Sequence, residues 1–258
     1  MTKTAIITGS TSGIGLAIAE AFAALGHNIV VNSYSDADED HAIARRIADN
    51  HKVKAIYVQA DMSQPKACRA LVEKAADAFG SVDIVVNNAG IQHVAPVEDF
   101  PEDKWNAIIA INLSSAFHII AAAIPHLRKA GGGRIVNIAS AHGLIASPYK
   151  SAYVAAKHGV MGLTKTVALE LARENITCNA VCPGYVLTPI VEKQIPEQMK
   201  VHNMDRETVI REVMLARQPS GEFATVEQVA GAVVYLCSDI AASVTGTHIS
   251  VDGGWTAA

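Results

Sequence analysis

The stretch from Ser140 to Lys157 reads SAHGLIASPYKSAYVAAK, with three serines, a histidine, two lysines and two tyrosines among small apolar residues. A helix that only packed against a core has no use for that collection. Tyr153 and Lys157 are four residues apart. On a helix that spacing puts both side chains on one face, with Cβ atoms about 5–6 Å apart. A phenol so close to an ammonium is a different acid from a free phenol, and the pair is equipped for proton transfer. Lys150 precedes the expected start of the same helix, where the dipole disfavours a cation. An anionic ligand accounts for it there.

A second stretch, TGSTSGIG, spans Thr8 to Gly15 between an apolar run and a helical pattern. Glycine permits a tight turn and lets backbone approach a pyrophosphate, while the following helix N-terminus favours negative charge. The spacing is G-x-x-x-G-x-G, not the common G-x-G-x-x-G. The cofactor expected is NAD. A 2′-phosphate needs a cation near the adenosine ribose, and between Lys3 and Arg45 there is no Lys or Arg. Past the second apolar run the chain reads NSYSDADED, which repels a phosphate dianion. Asn32 stands where a ribose-binding carboxylate often sits.

The elements that must position these residues follow from the apolar pattern. Strands are expected at Thr4–Thr8, Asn28–Asn32, Lys54–Gln59, Asp83–Asn87, Arg134–Ile138, Ile176–Val181 and His248–Val251. Most are continuously apolar, as in strands buried on both faces. Helical patterns lie near 14–25, 38–50, 64–79, 101–130, 151–174 and 225–238, with Pro125 expected to kink or end the fourth. Repeated β-α-β units predict an α/β fold: one doubly wound domain over 1–258, with a parallel sheet of about seven strands and helices on both faces. The segment 186–220 is charged and holds Pro189, Pro196 and Pro219. It is expected to form a lid of short helices.

The formal net charge of −4 argues against nucleic-acid and anionic-membrane partners. No apolar run is read as long enough to span a membrane, and the N-terminus leaves no room for a signal peptide, so a soluble cytoplasmic protein is expected. Cys178 and Cys182 fall on one strand, roughly 13 Å apart, too far for a bridge. Buried free thiols are expected. The ten histidines are scattered without ligand spacing, and no metal is expected.

TGxxxGxG at 8–15, NNAG at Asn87–Gly90 and Tyr153-x-x-x-Lys157 with Ser140 thirteen residues upstream form an ordered set. From Thr8 to the C-terminus the chain resembles the short-chain dehydrogenase/reductase family. The resemblance implies a Rossmann-type fold and nicotinamide-dependent hydride transfer, with Asn112 in AINLS completing a tetrad with Ser140, Tyr153 and Lys157. It implies that Asp61 and Met62 flank the adenine and that Asn88, Ala89 and Gly90 line the cofactor. Pro183, Gly184, Val186 and Thr188 would hold the nicotinamide end, and Gly9, Thr11, Gly13, Ile14 and Gly15 the glycine loop. Taking the proton of a secondary alcohol near pH 7 needs a tyrosine depressed by about three units, roughly 4 kcal/mol. A cation at 4 Å supplies about that much at an effective dielectric near 20 before desolvation losses, so Lys157, helped by the positive nicotinamide, is expected to make Tyr153 a base.

Lys150, His142, Gln92 and Gln194 are long polar side chains expected near that tyrosine, and they point to a small carboxylated substrate. The stretches GIQHVAPVEDFP, PGYVLTPIVEKQI and SVDGGWTA narrow the likeness to the bacterial D-3-hydroxybutyrate dehydrogenase branch. That branch implies NAD-linked interconversion of (R)-3-hydroxybutyrate and acetoacetate in a homotetramer whose long helices pair across subunits. In it, residues matching Gln92, His142, Lys150 and Gln194 bind the carboxylate. Tyr185 and Leu187 depart from the branch pattern, which bears on chain-length selectivity. The competing readings are a 3-oxoacyl carrier-protein reductase, which normally wants NADPH and a basic docking patch, and a non-catalytic NAD sensor, which has no need of a base.

Overall fold

The computed structural model describes residues 2–257, apart from the side chains of Ile190, Lys193, Gln194 and Glu197. The apolar runs become strands β1 Thr4–Ile7, β2 Asn28–Ser33, β3 Ala55–Gln59, β4 Ile84–Asn87, β5 Gly133–Ile138, β6 Ile176–Pro183 and β7 His248–Val251. They form one sheet in the order β3-β2-β1-β4-β5-β6-β7, and every neighbouring pair is parallel. Every residue of β1, β4, β5 and β6 is buried, which is why these segments read as largely apolar, with Arg134, Asn137 and Asn179 among the buried polar exceptions.

Strand residues alternate between two cores. Ile7, Ile29 and Val31 pack with Ile18 and Phe22 of α1 (Gly13–Ala24), Ile47 of α2 (Asp38–His51) and Val233 and Leu236 of α9 (Val226–Cys237). Ile6, Val30 and Ile135 face the other way. They meet Leu71 of α3 (Pro65–Phe79), Ile119 and Leu127 of α5 (Ser115–Lys129) and Leu171 of α6 (Ser151–Leu171). A Thr225–Gln228 capping box starts α9.

The fourth helical pattern departs from expectation. Pro125 lies inside α5, and the helix runs on to Lys129. A proline so near the C-terminus removes one backbone bond with less than two turns left to disrupt. The irregularity falls upstream. Between α4 (Glu102–Ile109) and α5 the backbone makes a π turn, Ala110–Ser114, around Asn112. The continuous helix Glu102–Lys129 is also long and apolar enough to cross a membrane by length and composition, with a mean hydropathy of 2.0 over its most apolar 18 residues, contrary to the reading that no run is. Here Ile119, Ile120, Ala123 and Leu127 of that helix lie in the core.

The expected lid contains α7 (Pro189–His202), α8 (Arg206–Val209) and a second π turn, Ile210–Met214. It has a small core of its own in which Ile195, Val209 and Met214 are buried and Tyr185 and Val191 are packed against them. The four cysteines are free and buried, and burial pushes Cys178 up to about 12 and Cys182 to about 11. Among the described residues no three His, Cys, Asp or Glu side chains gather as metal ligands.

Candidate active site

Ile7 of β1 pairs with both Val31 of β2 and Val86 of β4, so a crevice opens past their carboxyl ends, where the strand order reverses. A cleft of about 810 Å³ occupies it. The glycine loop, Asp61, Met62, Asn88, Ala89 and Gly90 line it, as do Pro183, Gly184, Val186 and Thr188. Gln92, Ser140, His142, Lys150, Tyr153, Lys157 and Tyr185 complete the expected set on its walls. Two expected site residues are not among them. The Gln194 side chain lies outside the described residues, and Asn112 sits behind the wall.

The glycines are there for the reasons chemistry requires. Gly9 and Gly13 have φ of +60° and +54°, which L side chains rarely adopt. A Cβ on Gly15 would stand 2.5 Å from Asn88 Nδ2 and would strike Gly9 O. Asn88 is a brace as much as a lining residue. Its Nδ2 donates to Thr8 O and Gly9 O at 2.9 and 2.8 Å, and Thr8 Oγ1 accepts the Asn88 and Ala89 amides. The positive end of α1 therefore faces the cleft over a loop whose Gly9, Gly13 and Gly15 leave backbone open to it, which suits a pyrophosphate. These residues fit a dinucleotide.

Asn32 is not a ribose ligand in waiting. Its side chain is fully buried, Oδ1 accepting from Gly9 N–H at 3.1 Å and Nδ2 donating to the carbonyls of Ser33, Val58 and Ala60. It brackets three chain segments. Asn32, Ser33 and Tyr34 all line the cleft, the Asn32 amide being already engaged with the chain.

At the other end Tyr153 and Lys157 share a face of α6, with Lys157 Nζ 5.5 Å from the phenol ring centroid. Nζ is buried and donates to Ile138 O at 2.7 Å. Burial lowers Lys157 to about 8. The Tyr153 phenol is raised, not depressed, against the expectation from the Tyr–Lys spacing. Burial is the chief cause, the neighbouring Ser140 hydroxyl opposes it, and Tyr185 adds to it. Within the chain alone desolvation of the phenolate dominates, whereas the expected depression counted on a positive nicotinamide beside Lys157.

Ser140 is extended and accepts the His142 N–H at 3.1 Å. His142 Nε2 lies 2.9 Å from Ser147 Oγ, and burial, then Lys150, Arg217 and His158, hold the imidazole down at about 4. It is neutral at physiological pH. Lys150 is the N-cap residue of α6, and its Nζ lies 5.7 Å from the Tyr185 ring centroid. Burial and the charge of Arg217 lower its proton affinity. Asn112 spends both ends of its amide on Ile91, accepting its N–H and donating to its carbonyl at 2.9 Å each. It thereby holds the loop that carries Gln92.

Trp255 was not singled out in the sequence. It is buried against Tyr185, the two rings stacked at 5.5 Å and 3° apart, and His142 meets its face edge-on at 5.2 Å. The only local signal is the pair Gly253 and Gly254, both at positive φ, which turns the C-terminus back onto the cleft.

Residues 9–256 match the family model described as Enoyl-(Acyl carrier protein) reductase. With the parallel sheet and the cleft at its switch point, this places the chain in the short-chain dehydrogenase/reductase family, oxidoreductases that use a nicotinamide cofactor. Among curated relatives, the D-beta-hydroxybutyrate dehydrogenase of Rhizobium meliloti (strain 1021) is 58% identical over 257 residues, covering 100% of both chains. The D-beta-hydroxybutyrate dehydrogenase of Cupriavidus necator is 50% identical over 255 residues, 99% of this chain and 98% of the relative. A 3-oxoacyl-[acyl-carrier-protein] reductase of Thermotoga maritima is 36% identical over 252 residues, 98% of this chain and 97% of that one.

Proposed function

We propose that the chain is a cytoplasmic, homotetrameric enzyme that interconverts (R)-3-hydroxybutyrate and acetoacetate, with NAD as its cofactor. One observation carries this reading. The cleft joins a glycine loop at one end to Ser140, Tyr153, Lys157 and a half-buried Lys150 at the other. The full-length likeness to two proteins named for that substrate supports it.

Bound there, an oxidised nicotinamide supplies the hydride acceptor and a positive charge beside Tyr153. Tyr153 takes the hydroxyl proton in oxidation and returns it in reduction. Its raised proton affinity suits the reduction as it stands, so oxidation is the direction that gains as pH rises. Ser140 holds the reacting oxygen, and Lys157 keeps a cation behind the phenol ring. Lys150, the neutral His142 and Gln92 receive the substrate carboxylate, with Gln194 contributed by α7. The 3-oxoacyl carrier-protein reductase reading is weaker, because the sequence between Lys3 and Arg45, which holds the glycine loop and the end of β2, has no Lys or Arg to receive NADPH.

The test is NADH formation from both enantiomers of 3-hydroxybutyrate, (R)-3-hydroxyvalerate and the methyl ester of the (R)-acid. Unpaired buried polar groups cost several orders of magnitude in specificity, whereas one methylene costs about 1–3 kcal/mol. The ester is expected to be far worse than the valerate. Lys150→Ala should damage kcat/KM for the acid much more than for the ester, and Tyr153→Phe should lower turnover at least about 10²-fold while cofactor still binds. An ester that performs as well as the acid would leave Lys150 as an ordinary surface lysine.

A further inference from the structure

Tyr185 occupies the centre of the proposed substrate end, stacked on Trp255 and beneath Lys150 Nζ. What fixes its backbone lies 33 residues further along the chain. Gln218, just past the π turn Ile210–Met214, is 2% exposed. Its Oε1 accepts the Tyr185 N–H at 3.0 Å, and its Nε2 donates to Glu222 O. Gln218 N–H bonds Leu215 O and Gly221 N–H bonds Gln218 O, at 2.8 Å each, so the side chain stands on a closed turn. The Tyr185 carbonyl is taken by Ala224 N–H at 3.0 Å. Both polar groups of the Tyr185 backbone are therefore held by the segment that returns from the lid.

The neighbouring glycines record how tightly this amide is inserted. A Cβ on Gly184 would stand 2.5 Å from Gln218 Oε1, and one on Gly253 would stand 2.7 Å from Gln218 Cγ. Gly184 follows the last residue of β6 and Gly253 begins the turn to Trp255. The one side chain thus touches both pieces of chain that carry the stacked rings.

We infer that Gln218 is a positioning residue for substrate binding, setting the Tyr185–Trp255 stack under Lys150 without touching substrate or cofactor. The inference rests on the proposed reaction for its kinetic readout only. The same turn carries Arg217, whose charge acts on Lys150, His142 and Tyr185, as expected if the turn is held against this end of the cleft.

The experiment uses the full-length enzyme with Gln218→Met, which keeps length and removes both hydrogen bonds. The KM for (R)-3-hydroxybutyrate is expected to rise at least about tenfold, while the KM for NAD stays within about twofold. In a Trp105→Phe background Trp255 is the sole tryptophan, and its emission should change on Gln218→Met as the stack loosens. A variant that merely folds less well would lose kcat in proportion to the folded fraction with both KM values unchanged, its folded fraction emitting from Trp255 as wild type does, and that result overturns the inference. If Gln218→Met does not fold, Gln218→Asn, one methylene too short to reach Tyr185, carries the same two readouts. A wild type inactive on every 3-hydroxy acid would sink the proposed reaction, and the emission test would then decide the role of Gln218 alone.

Discussion

At the scale of single residues, the site is held together against the preference of its own charges for water. Lys157 is buried with a backbone carbonyl as its only hydrogen-bond acceptor among the described residues, and its proton affinity falls from 10.5 to about 8. Converted at 1.36 kcal/mol per unit, the buried charge costs on the order of 3 kcal/mol. Replacing it by methionine removes that cost and forfeits one hydrogen bond to Ile138 O, about 1 kcal/mol. Lys157→Met should therefore abolish turnover and yet stabilise the fold by roughly 1–2 kcal/mol, several degrees in Tm for a chain of this size. The pH dependence fixes the cause. Between pH 8 and 10.5 the unfolded chain holds a proton that the folded one has lost, so wild-type stability rises with pH across that window. The advantage of the variant should be complete below pH 8 and gone near 10.5. Thermal unfolding of both proteins at pH 7 and pH 10 checks it, and equal Tm values at pH 7 would refute it.

At the scale of elements, the glycine loop shows how a turn imposes residue identity. Gly15 lies in the first turn of α1, where alanine is ordinarily the better helix former. Its missing Cβ is the space taken by Gly9 O and the Asn88 amide. Gly15→Ala should thus destabilise by about 1–3 kcal/mol, as overpacking does, and weaken cofactor binding at least about tenfold. Denaturant unfolding and NADH fluorescence titration measure the two effects, and a variant at least as stable as wild type with unchanged affinity would contradict the geometry. Such local rules made much of this architecture legible in the sequence. Strands buried on both faces are mostly apolar, and a glycine loop, which tight packing alone can also produce, gains meaning from its place after the first strand of an alternating pattern. Tyr153 and Lys157 were readable because their relation is confined to one helical turn. What escaped depends on distant chain. The π turn around Asn112 goes with an amide that clasps Ile91, 21 residues away, and no periodicity records it. Trp255 meets His142 and Tyr185 only because the C-terminus folds back, and the raised phenol of Tyr153 follows from burial that spacing alone does not disclose.

At the scale of the whole molecule, charge and apolar surface are both unevenly placed. Asp36, Asp38, Glu39 and Asp40 follow β2 at the adenosine end, where burial and Asp40 push the Tyr57 phenol up to about 12. Lys150 and Arg217 gather at the other end. A 2′-phosphate would enter the acidic end unpartnered, so kcat/KM should favour NAD over NADP at least about 10²-fold, roughly 2.7 kcal/mol, and equal efficiencies would count decisively against the proposed cofactor. The apolar imbalance concerns assembly. The most apolar 18 residues of the helix Glu102–Lys129 have a mean hydropathy of 2.0, yet only 39% of that window is buried within one chain. Phe117 on α5 is 50% exposed and Leu169 on α6 is 80% exposed. Apolar residues left open on two long helices are what the proposed homotetramer would cover by pairing them across subunits. On that footing Leu169→Glu, which places a charge where a neighbour's helix would pack, should lower the sedimentation coefficient from that of a tetramer toward a smaller species. Because Leu169 is exposed in the single chain, the far-ultraviolet circular dichroism should not change. A wild type that already sediments as a monomer, or a Leu169→Glu variant that remains tetrameric, would remove these helices from the interface.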